Sequence, residues 1–147
     1  QHRCGFWVNL FFHLLIMNET VKYTPVFSCV AVSDTVQPAY QNRWFLVDEH
    51  SQVLEATDKT AELSLAIRFA YLVFRAPGML RLDIPIEVLE DDGDAFESIT
   101  LNGRSKRAVN EGELATAWFS NYYGKTVHLM KLHPEDHKAL QVATGDA

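Results

Sequence analysis

Two groups of residues carry side chains of the kinds that catalyse reactions or bind metals. Cys29 would act as a nucleophile if a nearby cation lowered its pKa, and Arg43 is a candidate for that cation. His133 and His137 have the spacing of a helical metal-ligand pair. However, Pro134 biases the residue before it away from helical backbone. The spacing is therefore a weak signal, and we predict no metal site.

Other patterns typical of enzymes do not occur in the sequence. There is no Gly-x-Ser-x-Gly nucleophile motif and no glycine-rich phosphate loop. Asp91 and Asp92 lie in an acidic turn, where nothing would separate their pKa values for acid–base work. The residues themselves therefore favour a protein without a reaction centre of its own.

Composition limits the class of protein and the kinds of partner. The chain has 147 residues, of which 48% are hydrophobic and 12% aromatic, enough for one domain with its own core. Its formal net charge of -6 argues against nucleic-acid binding, which needs clustered lysines and arginines. Its two cysteines, Cys4 and Cys29, are too few for a disulfide framework. We therefore expect reduced thiols and a cytoplasmic location.

The two ends of the chain differ from its middle. Residues 6–17 form an apolar run that is too short to cross a bilayer as a helix, so we predict no membrane partner. Residues 1–16 are either an apolar extension outside the natural domain or an extra strand or helix packed on it. Residues 17–133 are predicted to form the domain, and the polar residues 134–147 a loose tail.

The middle of the chain predicts short strands separated by turns. Residues 44–47 are apolar throughout, which indicates a strand buried on both faces. Pro85 cannot donate a hydrogen bond to a neighbouring strand, so its strand should lie at a sheet edge or be bulged there. The Asn102-Gly103 pair is a strong hairpin signal. We predict a mainly β fold, a small antiparallel β-barrel with one α-helix near the C-terminus.

The helix is predicted over residues 111–123, with Asn110 as its N-cap and Gly124 as its C-cap. Its core-facing stripe is predicted from apolar residues at helical spacing: Leu114, Ala117, Trp118 and Tyr122.

Several segments together resemble the N-terminal β-barrel domain of MOSC proteins (molybdenum-cofactor sulfurase C-terminal type). Residues 23–29, Tyr-Thr-Pro-Val-Phe-Ser-Cys, are similar to the Tyr-Pro-Ile-Lys-Ser-Cys motif that opens those domains. Residues 41–48, Gln-Asn-Arg-Trp-Phe-Leu-Val-Asp, are similar to their Asp-Arg-Arg-Trp motif and the apolar strand after it. The Ala-Pro-Gly-Met turn at 76–79 and the helix containing Trp118 follow in the same order. The resemblance covers roughly residues 20–132.

The resemblance implies a site and also implies that it has changed. In that family the Lys-Ser and Arg positions help to hold an anionic pterin cofactor, and the molybdenum-ligating cysteine lies in a later domain. Here Ser28 and Arg43 remain, whereas Phe27 replaces the lysine and Asn42 replaces one arginine. Each lost cation would remove charge-assisted hydrogen bonds worth about 1.5–3 kcal/mol. We therefore expect no bound cofactor, with molybdenum-cofactor contact only through a partner that carries a MOSC domain.

Two functions follow as hypotheses. The first is a non-catalytic module that binds a small anionic ligand or a MOSC-domain partner, with a pocket lined by Ser28, Arg43, Tyr40 and Trp44. For Trp44 and Arg43 a purely structural role is the competing interpretation. The second is a sulfur carrier or cofactor-sulfuration component that uses Cys29 as a reactive thiol. A structural relative that has kept no ligand is a third possibility.

Overall fold

The computed structural model describes residues 21–29, 31–34, 40–86 and 95–145. The predicted extension at 1–16 lies outside these residues. The described strands are β1 Val21–Tyr23, β2 Val32–Asp34, β3 Trp44–Asp48, β4 Ser64–Arg68, β5 Tyr71–Arg75, β6 Leu82–Pro85, β7 Phe96–Leu101, β8 Arg104–Asn110 and β9 Val127–Leu132. The described helices are α1 Asp58–Ala61, α2 Glu113–Tyr123 and α3 Pro134–Gly145.

The described strands form three antiparallel sheets. β1 pairs with β2, β4 to β6 form a meander, and the four-stranded sheet has the order β3-β9-β8-β7. This confirms the mainly β prediction. β6, which ends at Pro85, is an edge strand as predicted.

Residues 51–54 join the two edges of the four-stranded sheet, which curls into a half-barrel. On one side, the Leu54 N–H donates to the Leu46 carbonyl of β3 at 2.9 Å. On the other, the Val53 N–H donates to the Thr100 carbonyl of β7 at 3.0 Å, and the Thr100 N–H donates to Ser51 at 2.8 Å. This closing segment therefore satisfies backbone groups of both edge strands.

β3 lies between two hydrophobic cores and contributes side chains to both. Phe45 and Val47 face the inside of the curled sheet, where they pack with residues of β7, β8 and β9. Trp44 and Leu46 point the other way, into a larger core shared with α2 and the β4–β6 meander. All four side chains are at most 4% exposed, which confirms the prediction of a strand buried on both faces.

α2 exists as predicted, but its buried stripe is different. The residues that face the core are Ala115, Trp118, Phe119 and Tyr122, whereas Leu114 is 72% exposed and Ala117 is also exposed. The N-cap is Gly112 and not Asn110, whose side-chain oxygen instead accepts a bond from the Gly112 N–H at 2.8 Å. Because each residue turns the helix by about 100°, the spacing of 115, 118, 119 and 122 leaves Leu114 outside the buried face.

The predicted loose tail forms helix α3 in its described part. Pro134 stands where its missing N–H costs nothing, and Glu135 and Asp136 favour the positive end of the helix dipole. Asp136 accepts bonds from Arg107, from its backbone N–H at 2.6 Å and its guanidinium at 2.9 Å. His137 donates to the Gln41 carbonyl at 2.6 Å. The polar composition therefore concealed a helix held by a few specific contacts.

Two hairpins share one turn geometry but differ in how well their residues suit it. In the β7–β8 hairpin, Asn102 and Gly103 have positive φ values of 52° and 79°, which these residue types adopt readily. In the β4–β5 hairpin, Phe69 and Ala70 have positive φ values of 51° and 66°. Left-handed backbone costs an ordinary residue roughly 1–2 kcal/mol, so the second turn is strained.

We expect the double substitution Phe69→Asn and Ala70→Gly to raise the free energy of unfolding by about 1–2 kcal/mol, because it removes this strain. Phe69 is 93% exposed, so its removal costs little packing. Urea denaturation measures the change. The reverse exchange, Asn102→Phe with Gly103→Ala, should lower stability by a similar amount, and equal stability of all three proteins would contradict the argument.

Candidate functional site

The structure brings Tyr40, Arg43 and Trp44 together, and of the four predicted pocket residues Ser28 lines a described cleft. Ser28 lines an open cleft. Trp44 is fully buried, with Tyr40 packed beside it at 5.9 Å between ring centroids. Arg43 lies at the start of β3, where its Nε donates to the Leu132 carbonyl at 2.9 Å. Of the four, Ser28 is therefore the residue with direct access to a described cleft.

The cleft beside Ser28 forms where three segments meet: the turn at 26–29, the closing segment 51–54, and the tip of the β7–β8 hairpin. Its volume is about 320 Å³, within the range of small-ligand sites. Ser28 and Asn102 both enter it with left-handed backbone, at φ values of 68° and 52°. Asn102 adopts this backbone readily, whereas at Ser28 it is strained, and strained backbone is concentrated at binding sites. The turn at Ser28 therefore marks the cleft as the candidate site.

The described lining of the cleft is polar but mostly uncharged. Gln52, Thr100 and Asn102 contribute amide and hydroxyl groups, and Glu55 is the one charged residue among the described lining residues. Phe27 also lines the cleft and stacks on Phe45, with 5.1 Å between ring centroids. It occupies the position at which the similar motif of MOSC N-terminal domains has a lysine. Glu55 shares a neighbouring hollow with Lys125, but no cation is among the described residues that line the cleft itself, which disfavours an anionic ligand there.

Trp44 belongs to a buried polar group that the sequence did not predict. Its indole N–H donates to the Glu111 carboxylate at 2.6 Å. Lys131, cross-strand from Trp44, is 8% exposed, lies 5.4 Å from the centre of the Trp44 ring, and donates to the Ile86 carbonyl at 2.5 Å. Burial raises the pKa of Glu111, opposed by the Trp44 hydrogen bond and by the charges of Lys131 and Arg43.

Cys29 is a poor nucleophile in this structure. It packs partly buried against the larger core, and burial raises the pKa of its thiol to about 12. Reactive cysteines have the opposite property, a lowered pKa beside a cation. At neutral pH the thiol is therefore protonated and weakly reactive.

The histidines bond to separate parts of the protein. His137 is held by Gln41, and burial lowers the pKa of its ring. His133 accepts the Glu135 N–H at 3.1 Å. His128 lies beside a second hollow, of about 370 Å³ at the start of α2, where its Nδ1 bonds to the Thr116 hydroxyl at 2.9 Å. In the described ranges no three His, Cys, Asp or Glu residues are grouped to hold a metal ion.

Sequence reasoning identified Ser28 but missed the other residues of the cleft. Gln52, Thr100 and Asn102 come from two segments about fifty positions apart, and none carries a motif. The one signal was the Asn102-Gly103 turn, which fixes where the hairpin tip lies. The bond between Trp44 and Glu111 was also missed, because the two residues are 67 positions apart in the sequence.

Comparison with known proteins gives one similar structure. It is the solution structure of a Bordetella bronchiseptica protein, a structural-genomics target, which is 38% identical in sequence with a TM-score of 0.65. The match covers 79% of this chain and 91% of that one. Neither the protein-family models nor the curated proteins give a match. Among the described helices, none has the length and apolar character needed to cross a membrane.

Replacing Glu111 with glutamine should change how stability depends on pH. Because the pKa of Glu111 is raised in the folded protein, the folded state holds its proton to higher pH than the unfolded state does. Its contribution to stability therefore falls as pH rises from the ordinary glutamate pKa, about 4.3, towards neutrality. Glutamine keeps an oxygen to accept the Trp44 N–H and does not ionise.

Urea denaturation of both proteins between pH 4 and pH 7 tests this. We expect the difference in unfolding free energy to shift in favour of Glu111→Gln as pH rises. Glu97→Gln, on an exposed strand position, is the matched control and should give a flat difference. A flat difference for Glu111→Gln as well would contradict the burial argument.

Alkylation with iodoacetamide should measure the inertness of Cys29. In a Cys4→Ser background, we expect the rate at pH 8 to be at least about tenfold below that of free cysteine, whose pKa is about 8.5. The rate should still be rising at pH 10 because the pKa is about 12. The same protein in urea should react like free cysteine. A plateau below pH 8.5 in the folded protein would instead indicate an activated thiol.

Proposed function

We propose that this chain, which belongs to the same family as the Bordetella bronchiseptica protein, is a non-catalytic binding module. Its binding site is the cleft beside Ser28, and its ligand is an uncharged polar segment of a partner protein. The proposal includes a cytoplasmic location, which the free thiol of Cys29 supports.

The observation that carries the proposal is the cleft itself. It is large enough for two or three side chains, and its described lining offers neutral donors and acceptors from Gln52, Thr100 and Asn102. The surrounding backbone is held by the hydrogen bonds of the closing segment, so the site is formed before a ligand arrives. A preformed site loses little conformational entropy on binding.

Two alternatives are less well supported. A small anionic ligand would approach Glu55 without a cation among the described lining residues. A sulfur carrier would need a thiolate at Cys29, whereas burial raises the pKa of that thiol to about 12. Both alternatives need charges that the described surroundings disfavour.

The resemblance of residues 23–29 and 41–48 to MOSC N-terminal domains supports a more specific partner, a protein that carries a MOSC domain. In this proposal the molybdenum cofactor belongs to the partner. Arg43 and Trp44 act as structural residues: the first donates to the Leu132 carbonyl and the second to Glu111.

Photo-crosslinking tests the proposal. Benzoyl-phenylalanine is placed at position 52, whose side chain is exposed and lines the cleft, and the chain is expressed in its source cells. The matched control carries the same group at Glu97, which is exposed outside the cleft. We expect a protein adduct from position 52 and none from position 97.

Mass spectrometry then identifies the adduct. A partner with a MOSC domain would support the specific form of the proposal, and any other single partner would support the general form only. Equal labelling from both positions, or no adduct from position 52, would contradict the cleft as the binding site.

A further inference from the structure

The outer face of the β4–β6 meander carries an unusual combination of arginines and exposed aromatic rings. We call it the arginine face and define it by Arg68, Phe69, Tyr71, Arg75 and Arg81. All five residues are exposed. It involves none of the residues of the cleft beside Ser28.

Strand register places these side chains on one side of the sheet. Arg68 is cross-strand from Tyr71, and Ser64 is cross-strand from Arg75, and cross-strand partners point the same way. The alternate positions, such as Leu72 and Phe74, point into the larger core. The cations therefore share one side of the sheet, where Tyr71 and Arg75 are exposed and Val73 between them is buried.

The arginine face is positive on an acidic protein. Residues 64–86 contain three arginines and a single acid, Asp83, whereas the whole chain has a formal net charge of -6. Arg81 pairs with Asp83 at 3.0 Å. Within the described part of the chain, Arg68 and Arg75 form no ion pair. Two guanidinium groups are thus available to an external carboxylate.

The aromatic residues at one end of the face are held out towards solvent. Phe69 is 93% exposed and Tyr71 is 42% exposed. Phe69 occupies a left-handed turn position that suits asparagine or glycine far better. An exposed aromatic ring in a strained, rigid turn is costly to keep, and aromatic residues with arginine are the residue types that anchor protein interfaces.

We infer that the arginine face is a docking surface for an acidic, extended segment of a partner protein. Carboxylates of the segment pair with Arg68 and Arg75, and an apolar side chain packs on Phe69 and Tyr71. β5 separates its two ends by roughly 14 Å, at about 3.4 Å per residue, so the paired carboxylates lie about four residues apart in an extended chain.

Charge complementarity selects this partner over other anions. A membrane surface or a nucleic acid presents an extended negative field, which repels the acidic remainder of a chain with net charge -6. A short acidic segment touches the arginine face alone. It therefore gains the attraction without most of the repulsion.

The test uses the full chain and a fluorescein-labelled decapeptide, Ser-Leu-Ser-Glu-Ser-Ser-Ser-Asp-Ser-Ser, in low salt. Its Leu, Glu and Asp side chains share one side of an extended chain, and the two acids are four residues apart. Fluorescence anisotropy should show saturable binding that weakens with added salt. A peptide with Gln and Asn in place of Glu and Asp should bind at least about tenfold more weakly, because it cannot form ion pairs.

Two variants locate the binding site. Arg68→Glu with Arg75→Glu reverses the unpaired charges at exposed positions and should weaken binding at least about tenfold. Arg104→Glu with Lys138→Glu makes the same charge change at exposed positions elsewhere and should have little effect. Phe69→Asn with Ala70→Gly removes the aromatic anchor while favouring the folded hairpin, so weaker binding by this variant reflects the lost ring and not unfolding.

Three outcomes would overturn the inference: equal binding of the acidic and neutral peptides, equal loss from both charge-reversal pairs, or binding to phosphatidylserine vesicles or a single-stranded oligonucleotide with none to the acidic peptide. The crosslink from position 52 is independent of these results, so either surface can fail while the other stands.

Discussion

The fold depends on one strand being buried on both faces. Residues 44–47 of β3 supply side chains to two cores at once, Phe45 and Val47 on one side and Trp44 and Leu46 on the other. Fully burying such side chains contributes about 1.5–3 kcal/mol each, before the entropy cost of ordering them. It also fixes the relative position of the curled sheet and the meander, because β3 belongs to the sheet and its Trp44 and Leu46 pack with the meander.

Burying β3 has a consequence for its polar neighbours. The Trp44 indole needs an acceptor inside the protein, and Glu111 supplies it; Lys131 and Arg43 offset part of the cost of that carboxylate. Arg43, in the segment that resembles the MOSC cofactor motif, and the nearby Lys131 thus help to stabilise a buried carboxylate. Exposed cations include Arg68 and Arg75 on the meander and Arg104 and Lys138 outside it. The charged residues of this protein therefore include an internal set that supports β3 and an exposed set spread over several faces.

Sequence patterns predicted the local features well. The double-sided burial of β3, the hairpin at Asn102-Gly103, the edge position of Pro85 and the left-handed Gly124 cap all follow from properties of one residue or one short run. The predicted buried face of α2 was wrong at Leu114, which is apolar but exposed. The residue types of a helix alone do not show which of its faces meets the core. α3 was missed because its attachment depends on distant partners, Arg107 and Gln41. The cleft was missed for the same reason, because it forms only where three separate segments of the chain meet.

The closing segment 51–54 has one further consequence. Because the same few residues bond to β3 on one side and to β7 on the other, the two seams cannot open independently. Withdrawing this segment would release the Asp48, Val53, Leu54 and Thr100 amides together and leave two bare strand margins facing solvent. Such margins recruit strands from neighbouring molecules. The segment thus covers part of both edges of the curled sheet, and strand pairing with another molecule at these positions would require its displacement.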